Sequence, residues 1–322
     1  MYDDLSRVDQ RERESRPPGG TVLEQKPLPR SHARKQPRRI RLSVLSLAVS
    51  AAALVVAVTA LVVALRGSGR TEPPSDAAPQ EEEVTFQFGG RAMTPVEGIP
   101  VNPYDQSAFR LDGKHRVTYE RDGRRAKTGI DVSSHQQEVD WQAVAADGID
   151  FAMLRLGRRG YTEGGLFPDE TFEKNLQGAL DAGLEVGVYF FSQAVSAQEA
   201  EEEAAYVLEA LDGRTLAFPV AFDWESIPGE AARTDSLDGE EMTRCAVAFC
   251  KRIADGGYRP AVYFNQTQGY LRYDLRELSE YELWLAEYGD TPDFYYHFDL
   301  WQYSQSGQVD GIQGSVDLNL AF

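Results

Sequence analysis

From Thr128 onward the chain alternates eight short apolar runs with amphipathic stretches, and that rhythm leaves few folds open. The runs fall at 128–132, 150–156, 185–191, 217–223, 259–264, 282–286, 298–303 and 315–319. Helices are predicted between them at 138–146, 169–182, 196–211 and 237–254, where apolar residues such as Phe172, Leu176 and Leu180, or Ala204, Val207 and Leu211, recur at helical spacing. Ser196 followed by Glu199 has the form of a capping box opening the third of these. Such alternation gives an α/β fold with largely parallel strands. Eight strands with fewer helices predict a TIM-like barrel with an incomplete helical ring, and in barrels the chemistry sits at the C-terminal strand ends.

The acids lie where that barrel needs them. The fourth run, FPVAFDWE, ends by presenting Asp223 and Glu225 two residues apart. Strand side chains alternate between faces, so both carboxylates point one way and Trp224 the other, with Cα atoms about 6 to 7 Å apart. The first run supplies Asp131 and the eighth supplies Asp317. Any one of these could cap a helix or close a turn, but acids at three strand ends predict one cleft. Converging carboxylates repel, so at least one must hold a proton at neutral pH, as a general acid does. Arg155, inside the apolar run FAMLRLG, is the expected cation that keeps a neighbouring Asp ionised. Tyr189, Tyr263 and Trp284 offer flat faces suited to sugar rings, as do Tyr288, Trp301 and Tyr303 in the same regions. Asn265 and Gln302 offer amides for hydroxyl or acetamido groups, and His135 and Gln136 follow the first strand in a loop. The four histidines are scattered without zinc-type spacing, so neither a metal nor a cofactor is expected. Cys245 and Cys250 share one predicted helix about 140° apart around its axis, too far to bridge, and read as buried thiols.

Upstream the chain changes character. Residues 42–65 carry no charge, and 24 residues of helix reach about 36 Å, enough to cross a hydrocarbon core of about 30 Å. No small-residue cleavage site follows, only Arg66-Gly67-Ser68-Gly69-Arg70, so the run reads as a transmembrane helix rather than a signal peptide. Lys26, Arg30, Arg34, Lys35, Arg38, Arg39 and Arg41 precede it and only Arg66 and Arg70 closely follow, which places the N-terminus in the cytoplasm and the later residues outside the cell. The predicted order is a disordered tail (1–41), the membrane span (42–65), an extracellular Pro- and acid-rich linker (66–83), a lead-in with short strands (84–127) and the catalytic domain (128–322). Residues 1–41 carry 11 Lys and Arg against 6 Asp and Glu, so the remainder has a net charge of −23, which excludes nucleic acid as a partner for the folded part.

GIDVSSHQQEVDW, FAMLRLG, AGLEVGVYFFSQA, AFDWE, YFNQ, LWLAEY, WQYS and VDLN occur in that order, and the series resembles the family 25 glycoside hydrolases, the cell-wall lysozymes. The resemblance spans about residues 128 to 322. It implies a flattened, irregular barrel, peptidoglycan glycan strands as partner, and hydrolysis of the β-1,4 bond between N-acetylmuramic acid and N-acetylglucosamine; the catalytic domain is expected to be monomeric. It implies Glu225 as general acid, protonated beside ionised neighbours, with Asp223 as its partner and Asp131 and Asp317 as supporting acids. Gln137 departs from the pattern, standing where the family commonly has Gly. Two other readings compete: a glycan-binding module without catalysis, which the presence of all four acids disfavours, and another carboxylate glycosidase such as a chitinase. Against the chitinase stands Ala221, which occupies an upstream acid position of its D-x-x-D-x-D-x-E motif.

Overall fold

The computed structural model describes residues 84–227, 229 and 231–322. The expected tail, membrane span and linker (1–83) lie outside the described residues, among which no helix is long and apolar enough to cross a membrane. The lead-in holds two small antiparallel sheets. One is β1 (Phe86–Phe88) with β2 (Arg91–Met93); the other joins β3 (Phe109–Leu111), β4 (Val117–Arg121) and β5 (Arg124–Arg125).

All later strands form one sheet: β6 (Lys127–Val132), β7 (Phe151–Arg159), β8 (Leu166–Pro168), β9 (Glu185–Ser192), β10 (Val220–Trp224), β11 (Pro260–Asn265), β12 (Glu282–Ala286), β13 (Leu300–Gly307) and β14 (Val316–Ala321). Because β6 pairs with β7 as well as with β14, eight of them close into a barrel, while β8 folds back on the end of β7. The other barrel neighbours from β6 to β13 run parallel, but β14 is antiparallel to both β13 and β6. This reversal departs from a simple parallel barrel and decides how one acid reaches the cleft.

Helices α1 (Trp141–Ala146), α2 (Phe172–Asp181), α3 (Ala197–Leu211) and α4 (Gly239–Asp255) cover the connections from β6 to β11. The short α5 (Gln266–Leu271) and α6 (Leu275–Leu278) follow β11. The expected cap of α3 is present, since Ser196 Oγ accepts from the Glu199 amide at 3.3 Å; the Glu199 carboxylate accepts from the Val195 amide, one residue outside the usual box. Cys245 and Cys250 are free and buried against the barrel wall.

Neither β12 nor β13 is followed by a helix, so the outward faces of β13 and β14 need another cover. The lead-in provides it. Phe109, Val117 and Tyr119 share a buried cluster with Trp301, Tyr303, Leu318 and Leu320. The Phe109 and Trp301 rings lie 5.4 Å apart, Tyr104 stacks on Phe322 at 3.8 Å, and Phe86 stacks on Tyr295 at 4.5 Å. Removing this apolar surface from water, at about 25 cal/mol per Å², makes the lead-in part of the barrel's outer layer.

The barrel interior has its own cluster, with Phe151, Met153 and Phe218 at its lower end. Phe151 and Phe218 stack with ring centres 4.2 Å apart and planes 5° from parallel. Inward-facing Gly129 and Gly187 make room for this floor: a Cβ on Gly129 would lie 2.2 Å from the Phe151 ring, and one on Gly187 would lie 2.6 Å from Met153 Sδ. Asp131, two residues beyond Gly129 on the same face, therefore stands above a filled barrel rather than an open pore.

Candidate active site

The antiparallel register pairs Asp131, near the end of β6, with Asp317, near the start of β14. A parallel eighth strand would carry its second residue to the opposite end of the barrel; reversal brings Asp317 to the mouth instead. Asp223, one residue before the end of β10, lies between Phe191 of β9 and Tyr263 of β11. Glu225 is one residue past that strand's last paired position and half-buried at the rim, whereas Asp131, Asp223 and Asp317 are buried. The four acids share one electrostatic field, since the Glu225 charge acts on Asp223, Asp317, Tyr263 and Tyr288.

Buried amides order this cluster. Asp131 Oδ2 accepts from Gln302 Nε2 at 2.9 Å and from Asn319 Nδ2 at 2.8 Å. Trp284 Nε1 donates to Asn319 Oδ1 at 2.8 Å, while the hydroxyls of Tyr263 and Tyr288 donate to Gln302 Oε1 at 2.9 and 3.2 Å. Each amide is thereby fixed with its NH₂ toward Asp131. Burial pushes the Asp317 carboxyl up to about 9, helped by the negative charge of Asp131 and the hydrogen bond between them. Burial also raises Asp131, but the amide donors and Asp317 itself oppose that rise. In that hydrogen bond Asp317 donates and Asp131 accepts. Asp223 is raised well above its ordinary value by burial, then by the charges of Glu225 and Asp131, and its Oδ1 has no hydrogen-bond partner in the protein. Asp131, Asp223 and Asp317 are thus the carboxyls that burial drives toward the neutral form.

Other expected residues converge but in different roles. Arg155 is 7% exposed; its Nε donates to Asp169 Oδ2 at 2.8 Å and its NH2 group to Ser134 Oγ at 2.9 Å. Its direct partner is Asp169, which burial opposes but which Arg155 and the amides of Ser134 and Thr171 hold below its ordinary value. Arg155 still acts at longer range to lower Asp223. Trp284 is 2% exposed and edge-on to Tyr263 at 4.9 Å, so it packs the interior and presents no open stacking face. Tyr189 and Tyr263 are likewise buried beneath the mouth, and Trp301 and Tyr303 belong to the outer cluster. Tyr288, 52% exposed, is the aromatic residue of this group that opens to solvent at the rim. Asn265 lies on β11 but caps α5, its side chain accepting from the Gln268 amide at 3.0 Å. His135 and Gln136 form a short 3-10 turn capped by Ser133. Gln137 follows with φ 53° and ψ −110°, a conformation that suits glycine and costs another residue about 1 to 3 kcal/mol.

Sequence reasoning missed four supports. Asn319 stands two residues beyond Asp317, so period two alone could have placed it on the same face. Asp169 follows β8, whose hairpin left no periodic signal. Gln193 and Gln268 carry the backbone past Asp223: Gln268 Nε2 donates to the Trp224 carbonyl at 2.8 Å, and Gln193 Nε2 to the Glu225 carbonyl at 2.9 Å. Buried Gln193 is itself held by the Thr234 hydroxyl, which donates to its Oε1 at 2.9 Å. Past the last paired residue of β10, side chains rather than a neighbouring strand satisfy these carbonyls.

Paired inward acids at the mouth of an α/β barrel define a carboxylate glycosidase architecture. The chain belongs to the glycosyl hydrolases family 25, whose family pattern matches residues 130–312. It is 30% identical over 192 residues to the autolytic lysozyme of Clostridium acetobutylicum, covering 59% of this chain and 54% of that protein. It is 28% identical over 206 residues to Lysozyme M1 of Streptomyces globisporus, covering 59% and 66% respectively. The chain thus spans about half the length of the first of these relatives. The structure of a family 25 glycosyl hydrolase from Bacillus anthracis superposes with a TM-score of 0.53 at 22% identity, over 66% of this chain and 95% of that one, a likeness of fold.

Proposed function

We propose that this protein is a peptidoglycan hydrolase that cleaves the β-1,4 bond between N-acetylmuramic acid and N-acetylglucosamine. The observation that carries the reading is the convergence of Asp131, Asp223, Glu225 and Asp317 on one mouth. Cleavage needs a proton for the glycosidic oxygen and negative charge near the anomeric carbon as positive charge builds there. Glu225, at the half-exposed rim, donates the proton. Asp223, on the same face of the chain, supports the developing charge once a protonated Glu225 no longer raises it, or orients the substrate acetamido group. The pair of Asp131 and Asp317 keeps one negative charge below them, and Arg155 offsets part of the accumulated charge. The similarity to an autolytic lysozyme and to Lysozyme M1 supports this substrate class. The test is digestion of purified peptidoglycan with analysis of the new ends: reducing muramic acid ends are expected, whereas anhydro ends or reducing glucosamine ends would assign a different bond or reaction.

Gln193 enters this reading as a positioning residue, through the carbonyl of Glu225. Gln193→Met keeps the volume but removes the amide donor, and kcat is expected to fall about tenfold while KM changes less than about twofold. A parallel loss in KM, or melting of the domain, would make its role merely structural.

Residues 42–65 would tether the domain with residues 66–322 outside the membrane, confining hydrolysis to wall within reach of the cell surface and suiting remodelling of the cell's own wall. Fractionation should then find the activity with membranes. Activity mainly in the culture fluid, as a species cleaved after residue 65, would remove the tether from the reading.

A further inference from the structure

A groove of about 530 Å³ runs along the rim beyond Tyr288, between the outer end of β13 and the turn joining β3 to β4. One wall carries Ser304, Gln305, Ser306 and Gln308; the facing wall is the lead-in turn with His115, and Tyr303 and Leu318 lie beneath. Tyr288 joins this groove to the catalytic cluster, because it lines the groove while its hydroxyl donates to Gln302, which holds Asp131. The lead-in wall lies outside the 130–312 stretch matched to the family.

The chemistry of the walls narrows what fits. Both lead-in cations are already engaged: Lys114 pairs with Asp147 and lies 3.7 Å from Asp310, and Arg116, 5% exposed, pairs with Asp147 at 3.2 Å. Asp290 adds a further carboxylate, and the chain after residue 41 is strongly acidic. An anionic peptide gains nothing there. Hydroxyls, primary amides and an exposed tyrosine instead suit an uncharged polyhydroxylated ligand with acetamido groups. We propose that this groove is a glycan subsite, partly built by the lead-in, that holds N-acetylhexosamine units flanking the bond cleaved. The inference rests on the peptidoglycan hydrolase reading.

The test compares the full chain with His115→Gly, which removes the ring while suiting the φ of 59° at that position, and with Gln305→Ala/Gln308→Ala. Kinetics are read on long glycan strands stripped of peptide, on a short tetrasaccharide, and on intact peptidoglycan. Expected is a KM raised about tenfold on stripped long strands with kcat unchanged, and little change on the tetrasaccharide. Equal KM for variants and parent on long strands would overturn the subsite. An effect confined to intact peptidoglycan would replace the glycan with the stem peptide as occupant and equally overturn it. Failure of the parent chain to cleave any of the three would instead sink the hydrolase reading. Ser306→Trp, which fills the groove from an exposed position, should reproduce the KM effect; a filled groove with normal KM would also overturn the proposal.

Discussion

Glu225→Gln is expected to lower kcat on peptidoglycan about 10³-fold while leaving the fold intact. Glutamine keeps the size and polarity of the side chain but cannot give up a proton to the leaving oxygen. It is half-buried past the end of β10, so the substitution lies outside the paired strand. Release of reducing ends by parent and variant, with melting curves for both, checks the point. A loss below about fivefold would take the proton donor's role from Glu225 and turn attention to the deep carboxyls. Asp223, whose Oδ1 lacks a protein partner and whose proton burial holds on, would be the next candidate.

Asp317→Asn is expected to stabilise the protein at pH 8 by about 1 to 3 kcal/mol, with the gain vanishing near pH 4. In the folded chain the Asp317 carboxyl is held up at about 9, against an ordinary value of 3.8. Between those two values the folded state keeps a proton that the unfolded state has released. The stabilisation linked to that proton is whole below about pH 4, declines as pH rises, and is exhausted once pH passes about 9. Asparagine does not titrate, yet its NH₂ can still donate to Asp131 and its oxygen can still accept from Gln302. Denaturant titrations of both proteins from pH 4 to 9 measure the difference directly. A constant offset across that range, or a variant losing stability at high pH as steeply as the parent, would show that Asp317 does not carry the proton. A gain here would mean that the cleft keeps its third deep carboxyl at the expense of stability, as functional sites commonly do.

Much of this architecture was legible in the sequence because period two and period 3.6 leave different marks. The run at 282–286 coincides with β12, and Ser196 marks the start of α3 within one residue. The pair Asp223 and Glu225 could be placed on one face for the same reason. Strand direction leaves no such mark: VDLNL reads alike in either sense, so the reversal of β14 and the pairing of Asp317 with Asp131 emerged only in three dimensions. Depth is equally silent. Alternation assigns Trp284 to the inner face but cannot say whether it stands at the mouth or beneath it, and its indole turned out to brace Asn319. The lead-in was readable as short strands, but its apolar residues Phe109, Val117 and Tyr119 gave no sign that they replace missing helices over β13 and β14.

The stacked rings of Phe151 and Phe218 have a consequence for how a polymer can be handled. A barrel plugged from below has a single entrance, so a strand cannot be threaded through it and must be gripped from the side, anywhere along its length. On the proposed function, cross-linked sacculus would offer few loose tips, and a site open on one side only would take a mid-chain linkage, cut it and release both pieces.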